Sequence, residues 1–85
     1  MRLDKYLKVS RLIKRRTVAK ELVDAGRVKV NGKVAKPGHE VRVGDQLEIG
    51  FGPRQIAAEI LAIRENVRAE EAADLYRLSQ GAPIE

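Results

Sequence analysis

Asn31-Gly32 stands between Val28-Lys29-Val30 and Lys33-Val34-Ala35, and this pair restricts the fold more than any other feature of the chain. A two-residue loop between right-twisted strands needs a type I′ turn, with positive φ at both central residues, which Asn-Gly tolerates. An antiparallel hairpin is therefore expected here. Ahead of it the period is helical: Leu3, Tyr6, Leu7, Ser10 and Ile13 recur on one face, and Val18, Ala19, Leu22 and Val23 form a second stripe. The spacing predicts a helix over about residues 2–9, a bend near Ser10, and a second helix from Arg16 or Thr17. Thr17 is its expected N-cap, and Gly26 its terminator.

Beyond the hairpin, Lys36-Pro37-Gly38 breaks the return strand, Val41 and Val43 resume an extended pattern, and Gly44-Asp45 turns into Gln46-Leu47-Glu48-Ile49. Gly50-Phe51-Gly52-Pro53 is a second punctuation point. Residues 55–64 predict another strand, with Ile56, Ala58, Ile60 and Ala62 on one face. Ala69, Ala72, Ala73 and Tyr76, widened by Leu75 and Leu78, predict a C-terminal helix with Glu70, Glu71 and Asp74 towards its start. The expected class is α+β, two N-terminal helices on a small antiparallel sheet, followed by a C-terminal strand and helix. Residues 1–52 read as a basic module, and 53–85 as an extension packed on the same small domain.

The net charge of +5 hides a division. Residues 1–36 carry twelve Lys and Arg against three acids, a balance of +9, whereas residues 37–85 carry five against nine, a balance of −4. Such concentration on one part of a small chain is the footprint of a polyanion partner; the plainer alternative is a solubilising basic face. The candidate RNA contacts are Arg2, Lys5, Lys8, Arg11, Lys14, Arg15, Arg16 and Lys20, with Lys29 and Lys33 on the hairpin. Arg15 and Arg16 lie where a helix start offers free N–H groups to a phosphate. Asp4, the lone acid among the first twenty residues, is expected to hold a helix start or to orient an arginine such as Arg2 or Arg16. Aromatic residues make up only 4% of the chain, too few for multi-base stacking, so structured RNA is favoured over single strands. Tyr6 shares the Leu3 and Leu7 face and reads as core.

Chemistry finds little support. The absence of cysteine removes disulfides, thiol catalysis and thiolate metal sites. His39 is the single histidine and falls in a loop without ligand partners. Glu70 and Glu71 are adjacent, so on a helix they point apart and form no dyad. No phosphate-binding glycine loop or nucleophile motif occurs. No catalytic residue, cofactor or metal is expected. No uninterrupted apolar stretch reaches the length of a signal or a spanning helix, so the chain reads as a cytoplasmic, soluble protein without a membrane partner, and it is expected to be a monomer.

Arg2-Leu3-Asp4-Lys5-Tyr6-Leu7, Arg11, Arg15-Arg16-Thr17, Val28-Lys29-Val30-Asn31-Gly32-Lys33-Val34 and Val43-Gly44-Asp45, taken in this order, resemble the S4-type RNA-binding domain over about residues 1–50. The resemblance implies that two helices and the following hairpin grip folded rRNA or tRNA. Within the family the opening run and Glu70-Glu71-Ala72-Ala73-Asp74-Leu75-Tyr76 are similar to the small stand-alone proteins of bacterial ribosome-associated quality control. That likeness implies docking on 23S rRNA and peptidyl-tRNA of obstructed large subunits, and support for the elongation factor that tails the stalled chain with alanine. The alternative is the heat-shock S4-type protein, which differs in a long basic C-terminal extension. More distant is the RNA-binding part of an RNA-modifying enzyme.

Overall fold

The computed structural model describes residues 1–84. Along the chain come α1 (Leu3–Val9), α2 (Arg16–Asp24), β1 (Val28–Val30), β2 (Lys33–Val34), β3 (Gln46–Phe51), β4 (Arg54–Ile60), a 3-10 helix (Ala69–Leu75) and β5 (Tyr76–Gln80). The strands form one antiparallel sheet in the order β2-β1-β3-β4-β5. Its register aligns the apolar positions on a single face: Val28 opposes Ile49, which opposes Ile56, and Val30, Leu47, Ala58 and Leu78 form a second row. This face packs with Leu3, Tyr6 and Leu7 of α1 and Ala19, Leu22 and Val23 of α2 in one core. The alternate positions Lys29, Glu48 and Gln46 are exposed on the other face, the in–out pattern of an antiparallel sheet covered on one side.

The hairpin forms as expected. Asn31 and Gly32 take φ of 53° and 83°, the two positive values that a type I′ turn demands. Asn31 has a further role. Its side-chain oxygen accepts the Gln46 N–H at 2.9 Å, and its amide donates to Asp45 at 3.0 Å. Asp45 in turn accepts the Arg42 N–H at 2.9 Å, so one side chain ties the hairpin tip to the Gly44-Asp45 turn. Asn31→Ala loses both bonds and the residue type that tolerates positive φ. It is expected to destabilise the fold by about 1–2 kcal/mol, measured as a lowered urea midpoint at unchanged slope.

Four expectations need correction. Thr17 does not cap α2: Arg15 occupies the N-cap position with extended φ and ψ of −111° and 124°, and no side chain caps the helix. Val41 and Val43 do not form a strand. Both edges of β1 are already paired, so this segment runs beside the N-terminus instead. There Val41 N–H donates to the Met1 carbonyl and Arg2 bridges Glu40.

The third correction concerns the C-terminal helix, which is a 3-10 helix that gives way to β5 at Tyr76. The apolar positions Tyr76 and Leu78 fit a two-residue period as well as a helical one, and β4 offers a vacant edge that pairs them with Ile60 and Ala58. The fourth correction is the preceding strand, expected over residues 55–64, which spans only Arg54–Ile60. Leu61 and Ala62 then both donate to the Leu75 carbonyl, which leaves Ala62 half-buried off the sheet.

The C-terminal segment is fastened to the N-terminal helices. Tyr6 is fully buried and its hydroxyl donates to the Leu75 carbonyl at 2.8 Å. Gly81, at φ of +81°, passes so close to β4 that a Cβ would lie 2.4 Å from the Gln55 carbonyl oxygen. Ile84 then forms a parallel bridge with Ile13, donating to the Leu12 carbonyl at 2.7 Å and accepting from Lys14 N–H at 3.0 Å.

Candidate nucleic-acid interface

Asp4 sits in the first turn of α1, placed by backbone bonds from Leu3 N–H to the His39 carbonyl and from Asp4 N–H to the Pro37 carbonyl. Its side chain is only 4% exposed. A buried carboxylate is costly unless its lone pairs are met, and here they are. Arg2 donates bidentately, Nε to Oδ1 and Nη2 to Oδ2, both at 3.1 Å, and Lys5 N–H donates to Oδ1 at 2.8 Å. From the second helix the Arg16 Nη2 lies 4.0 Å from Oδ2. Both arginine side chains remain 58% exposed. One buried acid thus aims two guanidinium forks from different helix starts outward, leaving N–H donors for planar anions such as phosphate.

The loop between the helices extends this surface. Ser10 is fully buried, donating to the Leu7 carbonyl and accepting from Leu12 N–H. Arg11 follows with φ of 59°, an uncommon conformation for a residue other than glycine. Arg15, Lys8, Lys14 and Lys20 are exposed around these elements.

The remaining candidates are arranged differently. Lys29 points to the sheet face away from the helices, where it lines a shallow hollow with Arg27, Glu48 and Gln55. Lys33 lies on the exposed hairpin strand β2. Lys5 is engaged within the molecule by an ion pair with Glu65, whose carboxyl the Lys5 hydrogen bond and charge hold below the usual carboxylate range. Glu65 was not among the expected site residues. Sixty positions separate the two, and no local pattern marks such a pair. Glu65→Gln is expected to tighten RNA binding a few-fold at low salt, because Lys5 no longer exchanges a carboxylate for a phosphate. Binding titrations across a salt series check this.

Among the described residues no group of three or more His, Cys, Asp or Glu is placed to hold a metal, and no helix is long and apolar enough to cross a membrane. His39 contributes its backbone carbonyl to the start of α1.

The helix pair, the hairpin and the acid-oriented arginines define a protein built on the S4 domain, whose family model matches residues 1–47. The chain belongs to the family of RQC P-site tRNA stabilizing factors. It is 58% identical over 78 residues to the factor of that name from Listeria monocytogenes, across 92% of this chain and 85% of the relative. To the factor from Halalkalibacterium halodurans it is 56% identical over 84 residues, across 99% and 96% of the two chains. The solved trimeric structure of heat shock protein 15 from Vibrio cholerae superposes with a TM-score of 0.84 at 38% identity, covering 93% of this chain and 81% of that one.

Proposed function

We propose that this protein docks on structured RNA of the large ribosomal subunit, 23S rRNA, and on peptidyl-tRNA, and steadies them during ribosome-associated quality control without catalysing a reaction. The observation that carries this is the Asp4 carboxylate holding the Arg2 and Arg16 forks outward from two helix starts. The relatives' name supplies the tRNA and its P site. Phosphate contacts fix position and orientation rather than sequence, which suits a factor that steadies a bound tRNA.

Residues 1–52 supply the RNA-binding surface in this reading, and residues 53–85 support it from the same small domain. Arg2, Arg11, Arg15 and Arg16 are the principal phosphate contacts, with Lys8, Lys14 and Lys20 beside them. The elongation factor that adds alanine to the stalled chain is the protein partner, and the site of action is the ribosome in the cytoplasm.

The test is affinity purification of the tagged protein from cells, with identification of the RNA and proteins retained. Large subunits carrying tRNA together with the alanine-tailing factor are expected. Free mRNA or DNA in their place overturns the proposal. Large subunits without the alanine-tailing factor would favour the heat-shock type of function, to which the superposition on heat shock protein 15 gives independent support.

A further inference from the structure

A hollow of about 300 Å³ opens beside the cationic loop, lined by Ser10, Arg11 and Lys14 on one side and by Ala72, Ala73, Tyr76 and neighbouring small residues on the other. More of its surface is apolar than polar, although it borders the most basic part of the chain. Its volume lies at the lower end of the range for small-molecule sites. Arg11, which also borders a smaller hollow beside Lys8 and Glu65, brings two features to this site. The residue holds φ of 59°, which glycine or asparagine adopts more readily, yet an arginine stands there. Its guanidinium engages no other described residue through a hydrogen bond or ion pair. Backbone strain that survives beside a cavity points from the outlier towards a function. Here the left-handed turn delivers an unengaged cation to the rim of an apolar floor.

We propose that this hollow receives a single unstacked nucleotide of the bound RNA, with its base against Ala72, Ala73 and Tyr76 and its phosphate on Arg11. The two halves of a nucleotide match the two halves of the site. A base has a π-face that can lie against apolar side chains and stack on an aromatic one, and a phosphate suits a guanidinium fork. The small side chains on the 3-10 helix keep the floor open. Because RNA recognition commonly targets unstacked bases beside helical regions, such a site adds a base-sized anchor to a surface that otherwise grips phosphates. The proposal rests on the RNA-docking reading above and assigns it a subsite.

The experiment titrates the full isotope-labelled protein with AMP, adenosine and inorganic phosphate while backbone amide resonances are followed. In parallel, wild type, Ala73→Trp and Arg11→Gly are compared for binding to purified large subunits carrying tRNA. Ala73 is exposed, so tryptophan fills the hollow from its rim, and glycine relieves the backbone at residue 11 while removing the cation. AMP is expected to shift the amides of Arg11 and Ala73 together, adenosine to bind about tenfold more weakly, and phosphate to shift Arg11 alone. Ala73→Trp is expected to lose the AMP response and Arg11→Gly to weaken it about tenfold, and both variants to lose about tenfold in affinity for the subunits. An absent AMP response at Ala73, or an undiminished one in Ala73→Trp, overturns the subsite. Failure of wild type to bind the subunits while AMP still shifts both amides would instead overturn the RNA-docking reading and leave the nucleotide site standing.

Discussion

An Arg15→Ala/Arg16→Ala protein is expected to bind large subunits or tRNA roughly 30–100-fold more weakly near physiological salt, with the slope of log affinity against log salt reduced by about two. The expectation follows from position. Arg15 ends the loop and Arg16 opens α2, so both cations sit beside first-turn N–H groups that have no intrahelical partner. Arg16 leans on Asp4 at 4.0 Å, a distance that orients more than it binds. Removing the pair therefore leaves Asp4 with the Arg2 guanidinium and the Lys5 backbone N–H as donors, and stability should change by no more than about 0.5 kcal/mol. Arg16→Lys is a sharper companion: it keeps the charge and loses the planar fork, so the salt slope should persist while affinity falls. Lys29→Ala, on the opposite face of the sheet, is expected to leave affinity within about twofold. Equal losses from Lys29→Ala and from the arginine pair would mean that diffuse charge, not the oriented cluster, does the binding.

Tyr6 carries the other large expected effect. Tyr6→Ala should cost about 3–5 kcal/mol, since a fully buried aromatic leaves a cavity that its neighbours fill only in part. Against the roughly 5–15 kcal/mol that holds a typical domain together, that loss populates the unfolded state. Tyr6→Phe should cost only about 1 kcal/mol, because the Leu75 carbonyl keeps the Leu61 and Ala62 N–H donors when the hydroxyl goes.

The same hydroxyl makes stability sensitive to alkali. Burial, with a smaller contribution from Tyr76, pushes the Tyr6 pKa well above its ordinary value near 10. The unfolded chain loses this proton first, so above the ordinary value the native state binds more protons than the unfolded one. The contribution is full below pH 10 and falls by about 1.4 kcal/mol per pH unit as pH rises towards the native pKa. Urea midpoints measured between about pH 8 and pH 11 should drop steeply for wild type and less steeply for Tyr6→Phe. Tyr76, whose pKa burial also raises, supplies the remaining decline. Parallel curves for the two proteins would refute the assignment.

What the sequence discloses and what it hides divide along the range of the interactions. The Asn31-Gly32 turn, the two helical stripes and the alternation in β3 are decided by neighbours a few residues apart, and each is legible from residue type and spacing. A role for Asp4 in orienting arginines is also open to sequence reasoning, with Arg2 two residues away and Arg16 near the next helix start. The Lys5–Glu65 pair is not, because it depends on how the segment after β4 returns to α1. The end of the C-terminal helix is misread for a related reason: Tyr76 and Leu78 satisfy two periods, and the vacant edge of β4 decides between them. The left-handed backbone at Arg11 leaves no mark at all, since arginine is not a residue type that announces positive φ.

The fastening of Ile84 to Leu12 and Lys14, and of Leu75 to Tyr6 across sixty-nine positions, has a consequence for how each copy of the protein matures. Synthesis delivers the cationic helices well before the segment that seats them, and contacts spanning so much of a chain close slowly. A growing copy therefore emerges with its arginines on a scaffold that is still incomplete, while surrounded by the most abundant polyanion in the cell. The two helices reach their full packing only after β5 and Ile84 have emerged from the exit tunnel.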